Sequence, residues 1–91
     1  MPLQISHDPG SRRFTVQVDG HLAELLYRQD GKRLTIDHTG VPEAIGGRGI
    51  AGELVKAALD HARAEGLRVV PACSYSAAYI QRHPEYADLV D

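Results

Sequence analysis

A glycine-rich turn that leads into a strongly patterned helix is the feature that most constrains this chain. The turn contains Gly46, Gly47 and Gly49, and a glycine backbone can bend sharply and approach a ligand closely because it has no Cβ atom. The helix predicted to follow, from about Gly49 to Glu65, would direct its unpaired N–H groups back into the turn. Converging N–H donors at a helix start are a typical seat for phosphate. The sequence therefore predicts an anion-binding loop at this point.

After the glycine-rich turn, the spacing of apolar residues indicates a helix, then a short strand, then a second helix. After the turn, apolar residues recur at helical spacing, and they are Ile50, Ala51, Leu54, Val55, Ala58, Leu59 and Ala62. Gly66 is a typical helix stop, and Leu67 to Val70 has the composition of a short strand. A second helix is predicted from Ser74, as its cap, to about Arg82, with Pro84 ending it or beginning a last turn. A strand, a helix and a strand in this order favour a right-handed crossover between parallel strands.

The first half of the chain alternates between strand and turn signals. Strands are predicted at 3–6, 13–18, 21–28 and 33–39, and turns at 7–11, 19–20 and 29–32. Successive short hairpins of this kind indicate an antiparallel sheet. Together the two halves predict an α/β (α+β) fold, with a mixed, mostly antiparallel sheet, one long helix and one short helix.

Length and composition narrow the possible functions. The chain has 91 residues, a net charge of −2, 43% hydrophobic and 24% charged residues, which is typical of one globular domain, here 1–91. The acidic charge argues against a nucleic-acid binder. A single cysteine excludes an internal disulfide and favours a reducing, cytoplasmic setting. We expect no membrane partner, because there is neither a signal peptide nor an apolar run of about 20 residues.

The order of the elements and several short motifs resemble the GCN5-related N-acetyltransferase superfamily, in particular its minimal "acetyltransferase-like" branch. The motifs are Asp37-His-Thr-Gly-Val-Pro42, Gly47-Arg-Gly-Ile-Ala51, Val69-Val-Pro-Ala-Cys-Ser-Tyr75 and Tyr79-Ile-Gln-Arg-His-Pro-Glu-Tyr86. The resemblance extends from Phe14 to Val90. One departure is Ala44, which stands where the superfamily's diphosphate loop has Gln or Arg.

The resemblance implies that acetyl-CoA is the cosubstrate. The N–H groups of the glycine loop would bind the diphosphate of coenzyme A, and the strand edge from Asp37 to Val41 would pair with the pantetheine amides. The next strand would splay away, leaving a slot for the thioester beside Ala72 and Cys73. The residues implied to contact the cofactor are Thr39, Gly40, Val41, Gly46, Gly47, Arg48, Gly49, Ile50, Ala51, Cys73 and Tyr79.

The resemblance also implies N-acetyl transfer by direct attack of an amine on the thioester. A lysine-like amine, with a pKa of about 10.4, must first lose a proton. His38 is the first candidate for the base, and Glu43 is the second. Tyr79 stands where many relatives have a tyrosine that protonates the departing thiolate, and Tyr75 lies one helical turn earlier. Three roles are open for Cys73. It can be a small buried hydrophobic residue, it can contact the cofactor, or, if His38 activates it, it can accept the acyl group as a nucleophile.

Other functions remain open on the sequence alone. The short chain lacks segments that shape acceptor sites in larger relatives, which favours a non-catalytic coenzyme A-binding or protein-interaction module as the main alternative. A KH-like RNA clamp matches Ile45 to Gly49 superficially, but Gly52 stands where that motif has an apolar residue. The amine acceptor is unknown. We expect no metal, because the five histidines lack ligand spacing and one cysteine cannot build a zinc site.

Overall fold

A computed structural model of the protein describes residues 3–91 as one five-stranded sheet covered by helices. The strands are β1 (Ser6–Asp8), β2 (Arg13–Val18), β3 (His21–Asp30), β4 (Arg33–Gly40) and β5 (Arg68–Pro71). The helices are α1 (Ile50–Glu65) and α2 (Ser74–Arg82), and short 3-10 turns span Glu43–Ile45 and Pro84–Leu89. No helix in the described part of the chain is both long and apolar enough to cross a membrane.

The sheet has the simplest possible strand order, β1-β2-β3-β4-β5. The first four strands pair antiparallel through hairpins, and β5 pairs parallel to β4 after the crossover through α1. The predicted fold class, with its mostly antiparallel sheet, long helix and short helix, is confirmed.

One face of the sheet packs against α1 and forms the core. Alternation along each strand places every second side chain on this face, including Phe14, Leu25 and Ile36, all of which are buried. The apolar stripe of α1 packs onto them, and its buried members are Ile50, Leu54, Val55, Ala58, Leu59 and Ala62. The amphipathic pattern in the sequence therefore fixes which side of α1 faces the sheet.

The two central hairpins have two-residue turns with left-handed backbone. Asp19 and Gly20 have φ values of 52° and 78°, and Gly31 has a φ of 60°. Turns with positive φ match the twist of the strands that they join. The predicted turn at 29–32 is too long, because Asp30 still pairs with Arg33 and only two residues form the loop.

The first strand lies later than the sequence predicted. We expected a strand at 3–6 and a turn at 7–11, but Ser6, His7 and Asp8 pair with β2. The Asp8 carboxylate instead begins the turn, because its Oδ1 accepts hydrogen bonds from the N–H groups of Gly10 and Ser11 at 3.1 and 3.4 Å. An aspartate that binds its own following backbone is a strong turn signal.

The last strand also differs by one residue, and the C-terminus adds to it. Pro71, expected to end β5, pairs with Ile36 as its last residue. Beyond β5, Val90 forms a parallel bridge with Val69, and the N–H of Asp91 donates to the Val69 carbonyl at 3.0 Å. The chain end thus covers the outer edge of β5, a pairing that no local pattern indicated.

His7 holds β1 on the sheet through an aromatic cluster at the end remote from the glycine loop. Its ring stacks on Phe14 at 4.1 Å with an interplanar angle of 4°, and its Nε2 lies 2.6 Å from the Tyr27 hydroxyl. The His61 ring of α1 meets it edge-on at 4.5 Å. Burial, and then the neighbouring His61, lower the pKa of His7, while Asp8 acts weakly in the other direction.

This cluster predicts a stability change in mild acid. A His7 pKa below its unfolded value of about 6.5 means that the unfolded chain binds more protons in that interval. The stabilisation is therefore complete above about pH 6.5 and is lost as pH falls. We expect Tm to fall between pH 7.5 and 5.5 in the wild type, and to fall less in His7→Phe, which retains a stacked ring. Parallel falls in both proteins would contradict this assignment.

Candidate functional site

The glycine loop before α1 has the left-handed backbone that glycine favours. Gly47 and Gly49 have φ values of 78° and 75°. A Cβ at either position would meet nothing within 4 Å, so the glycines are required by backbone conformation rather than by a neighbouring atom. These two glycines turn the chain from the 3-10 segment into the start of α1.

The start of α1 has no side-chain cap. Its N-cap residue is Gly49, and the first helical bond runs from the N–H of Glu53 to the carbonyl of Gly49 at 3.1 Å. Within residues 3–91, the N–H groups of Ile50, Ala51 and Gly52 have no acceptor. These free donors, together with the positive end of the helix dipole, attract an anion to the loop.

A cavity of about 240 Å³ opens at this helix start. Its lining consists of residues predicted to contact the cofactor and of Tyr75, predicted to act on the departing thiolate. The lining residues are Val41, Gly46, Gly47, Gly49, Ile50, Ala51 and Tyr75. The fold thus brings together the loop, the residue after β4 and the first turn of α2.

Strands β4 and β5 part beside this cavity. Their pairing ends at Ile36 and Pro71, whereas β4 continues to pair with β3 as far as Gly40. The N–H of Cys73 then donates to the Ile36 carbonyl at 2.9 Å. Between Asp37 and Gly40, β4 therefore has no strand partner on its β5 side among the described residues, and its backbone groups there can pair with an extended ligand.

The gap between β4 and β5 beyond Ile36 is the slot, and Cys73 lies at its inner end as the N-cap of α2. Its Sγ is 3.7 Å from the Thr39 hydroxyl. Burial raises the pKa of the thiol, but the N–H groups of Ser76 and Tyr75 and the Thr39 hydroxyl outweigh burial, so that the pKa is lowered overall. A helix N-terminus is a typical environment for an acidic thiol.

His38 does not contact Cys73. Thr39 pairs with buried Leu25 and faces the core side, whereas His38 pairs with Leu26 and is exposed on the uncovered side of the sheet. Successive strand residues point to opposite faces. The groups beside the thiol are therefore Thr39 and the start of α2, and His38 does not lie where the sequence interpretation placed it, next to Cys73.

The four tyrosines divide into two pairs by what their hydroxyls contact. The Tyr27 hydroxyl binds His7, and the Tyr86 hydroxyl donates to Asp60 Oδ1 at 2.8 Å. Among residues 3–91, neither the Tyr75 nor the Tyr79 hydroxyl makes a hydrogen bond. The two residues predicted to act on the thiolate therefore carry the uncommitted hydroxyls.

Tyr79 lines a second, larger cleft of about 580 Å³ on the surface between α1 and α2. Burial, and then the negative charges of Glu53 and Glu85, raise the pKa of its phenol. The phenol consequently stays protonated near neutral pH and can donate a hydrogen bond.

The side chains of two predicted site residues do not line the loop cavity. The guanidinium of Arg48 binds Asp19 Oδ2 at 2.6 Å, across the loop from the helix start. Glu43 is the exposed first residue of the 3-10 turn. The Arg48 backbone belongs to the loop, but its side chain is engaged with the β2–β3 turn.

Sequence reasoning missed Gly52 as a site residue. A Cβ at Gly52 would lie 3.3 Å from the Tyr75 hydroxyl and 3.4 Å from Cε2 of Tyr79. Both tyrosines therefore rest on α1 at this point and share one face of α2. The available signal was a lone glycine inside a helical pattern, which usually has a packing reason.

The described part of the chain contains no cluster of three or more His, Cys, Asp or Glu side chains that could hold a metal ion. The features of the candidate site are the uncapped start of α1, the unpaired edge of β4 and the uncommitted tyrosine hydroxyls.

Comparison with known proteins gives one consistent family. The sequence model of the family "GCN5-related N-acetyl-transferase" matches residues 13–89. The chain is 44% identical over 86 residues to Protein NATD1 of Gallus gallus and 43% identical over 86 residues to Protein NATD1 of Homo sapiens, covering 91% of this chain and 78% and 76% of those proteins.

A solved structure has the same fold. The solution structure of a GCN5-like protein from Staphylococcus aureus superposes with a TM-score of 0.77 at 33% identity, covering 98% of this chain and 88% of that one. The superposition, the motif-bearing loop and the match along residues 13–89 agree, and they exclude the KH-like alternative. This chain belongs to the GCN5-related N-acetyltransferase family.

Proposed function

We propose that this protein binds acetyl-CoA and transfers the acetyl group to an amine. The observation that supports this most strongly is the uncapped start of α1, which offers the free N–H groups of Ile50, Ala51 and Gly52 beside the unpaired edge of β4. A diphosphate fits the first feature and a pantetheine arm, with its two amides, fits the second. The family membership supports the same pair of ligand groups.

The protein's residues would divide the work between binding and chemistry. The loop amides hold the diphosphate, and the edge from Asp37 to Gly40 aligns the pantetheine arm in the slot. The thioester then lies near Thr39 and Cys73. Tyr79 or Tyr75 donates a hydrogen bond to the departing thiolate, because their hydroxyls have no other partner among residues 3–91.

The acceptor amine would reach the slot from the uncovered face of the sheet. His38 is exposed on that face, next to the slot, and can accept the proton of the attacking amine directly or through a water molecule. The base and the thiolate donors therefore act from opposite sides of the sheet, on opposite sides of the reacting carbonyl. His38 can then accept a proton from the amine while a tyrosine donates a hydrogen bond to the thiolate, because the two groups lie on different sides of the thioester carbonyl.

A substitution at Gly40 tests the role of His38. A Cβ on Gly40 would lie 2.9 Å from Nε2 of His38, so Gly40→Ala should move the imidazole without disturbing the backbone that would bind the cofactor. We expect a several-fold loss of acetyl transfer with unchanged coenzyme A affinity. If His38→Gln and Gly40→Ala both retain full activity, the base is another group or the solvent.

An acyl-cysteine route is the second mechanistic candidate, and the lowered pKa of Cys73 favours it. The thiolate would attack the thioester carbonyl, release coenzyme A as the leaving thiolate and hold the acetyl group until the amine takes it. Thr39 stabilises the thiolate in this route.

The thiol itself gives a direct prediction. We expect Cys73 to react with iodoacetamide at pH 7 faster than the cysteine of an unstructured peptide, because more of it is ionised. Thr39→Val should slow the reaction by raising the pKa of the thiol, and saturating coenzyme A should protect it. A rate equal to that of the peptide, unchanged in Thr39→Val, would show that the thiol is not activated.

A non-catalytic coenzyme A-binding module is the competing function. An acetyltransferase would release free thiol from acetyl-CoA when a suitable amine is added, and a binding module would not. The amines to test are lysine peptides, protein N-termini and polyamines. Amine-dependent release that is lost in Tyr79→Phe or His38→Gln supports transfer. Saturable binding without release for any amine supports the module.

A further inference from the structure

We propose that Gly52 and His83 are positioning residues that hold the Tyr79 ring in place and so fix the direction of its hydroxyl. This rests on the proposed function, in which that hydroxyl acts on the departing thiolate. The sequence interpretation assigned neither residue a role in the reaction. Gly52 offers the proposed anion site only its backbone N–H, which an alanine would retain, and its α-carbon faces Tyr79 and Tyr75.

Gly52 is the third residue of α1, a 16-residue helix. Glycine inside a helix costs roughly 0.5–1 kcal/mol relative to alanine, so its presence there calls for a compensating contact. The Tyr75 hydroxyl and the Cδ2–Cε2 edge of Tyr79 both lie beside that space, since a Cβ would be 3.3 Å from the hydroxyl and 3.8 and 3.4 Å from the two ring atoms. The missing side chain thus lets the ring edge rest on the α1 backbone.

His83 covers a face of the same ring. The two rings stack with centroids 3.9 Å apart and an interplanar angle of 16°. The Nδ1 of His83 lies 2.9 Å from the carbonyl oxygen of Tyr79, and because a carbonyl only accepts, Nδ1 carries the proton. One backbone hydrogen bond therefore anchors the imidazole to the residue that it covers, at the C-terminal end of α2.

Two contacts of different kinds leave the Tyr79 ring little freedom. One lies against an edge of the ring and the other covers a face, so that together they restrict its rotation. The hydroxyl at the tip of the ring makes no hydrogen bond within residues 3–91, in contrast to that of Tyr86. The position of the Tyr79 hydroxyl is therefore set by its ring alone. A hydrogen-bond donor held in this way stays free to bind a ligand in a fixed direction.

Stacking and the hydrogen bond can be separated by substitution at His83. His83→Phe retains a ring over Tyr79 but loses the Nδ1 donor, and His83→Gln retains a donor but loses the ring. Gly52→Ala introduces a Cβ that presses on the Tyr79 ring edge and, more closely, on the Tyr75 hydroxyl. His21→Gln is the matched control, because His21 is exposed at the start of β3 and lies outside the site.

Steady-state kinetics of thiol release should separate positioning from binding. We expect His83→Gln and Gly52→Ala to lower kcat about 5- to 10-fold, the loss typical of one misdirected hydrogen bond, with the Kd of coenzyme A changed less than about 2-fold. His83→Phe should recover most of the rate. In a Tyr79→Phe background His83→Gln should have no further effect on kcat, whereas Gly52→Ala also touches Tyr75 and is not part of this comparison.

An additive loss of kcat for His83→Gln in the Tyr79→Phe background would overturn the proposal, because His83 would then act independently of the hydroxyl. Equal losses in coenzyme A affinity would also overturn it, since they indicate a general packing defect.

Ring NMR of the free protein keeps the proposal testable if the wild type binds coenzyme A but transfers no acetyl group, or binds none. The ring protons of Tyr79 should be shifted upfield by the stacked imidazole, retain most of that shift in His83→Phe, and lose it in His83→Gln. An unchanged Tyr79 spectrum in His83→Gln would show that His83 does not hold the ring, whatever the activity.

Discussion

Replacing Gly47 and Gly49 together by aspartate should weaken acetyl-CoA binding by at least about 100-fold, or about 2.7 kcal/mol. Both glycines have left-handed backbone, which costs a residue with a Cβ roughly 1–2 kcal/mol. The strain would shift the free N–H groups at the start of α1. The new carboxylates would also compete for those donors and repel the diphosphate.

A matched pair of glycines elsewhere in the chain controls for strain and charge. Gly31 and Gly66 also have left-handed backbone, with φ values of 60° and 69°, and a Cβ on either would meet nothing within 4 Å. Both lie at the end of α1 remote from the loop. Gly31→Asp/Gly66→Asp therefore adds the same charge and comparable strain without touching the proposed site.

Calorimetric titration of both double variants, together with thermal unfolding, should separate binding from stability. The two variants should lose similar stability, but only the loop variant should lose acetyl-CoA binding. Equal loss of binding in both, or retained binding in the loop variant, would contradict the placement of the diphosphate.

Leu54→Ala should lower the free energy of unfolding by about 3 kcal/mol, within the 2–5 kcal/mol usual for a buried leucine. Leu54 is fully buried on the sheet-facing side of α1. Removing its methyl groups leaves a space that neighbouring strand residues cannot fill without moving. For a small domain with about 5–15 kcal/mol of stability this is a large fraction of the total.

Lys56→Ala is the control for this change, because Lys56 is exposed two residues further along the same helix and should change stability by less than about 0.5 kcal/mol. Urea unfolding at 25 °C measures both. A loss below about 1 kcal/mol in Leu54→Ala would mean that α1 is not anchored as described, and the loop at its start would then lack its support.

The sequence predicted best those features that depend on local chemistry. The glycine loop, the apolar stripe of α1 and the turn at Asp19-Gly20 were all recognisable, because positive φ and helical period leave direct traces in residue type. The boundaries of β1 and β5 were less accurate. His7 belongs to a strand because of its stack on Phe14, and Pro71 pairs because β5 lies beside β4, and neither contact is local.

The candidate site shows the same division. The loop residues were predicted as a set because they are contiguous, and all of them except Arg48 line one cavity. The orientation of side chains was not predictable: Arg48 turns to Asp19, His38 lies on the uncovered face, and Cys73 meets Thr39 instead. The packing of Tyr75 and Tyr79 onto Gly52 joins two helices, and only the tertiary structure shows it.

A titration of ¹⁵N-labelled protein with acetyl-CoA, followed by amide chemical shifts, tests the central claim most directly. We predict saturable shifts that are largest at Gly47, Gly49, Ile50 and Ala51, with a second group along β4 from Thr39 to Val41. No saturable shift, or shifts concentrated around Gly31 and His61 at the far end of the sheet, would contradict a cofactor site at the start of α1.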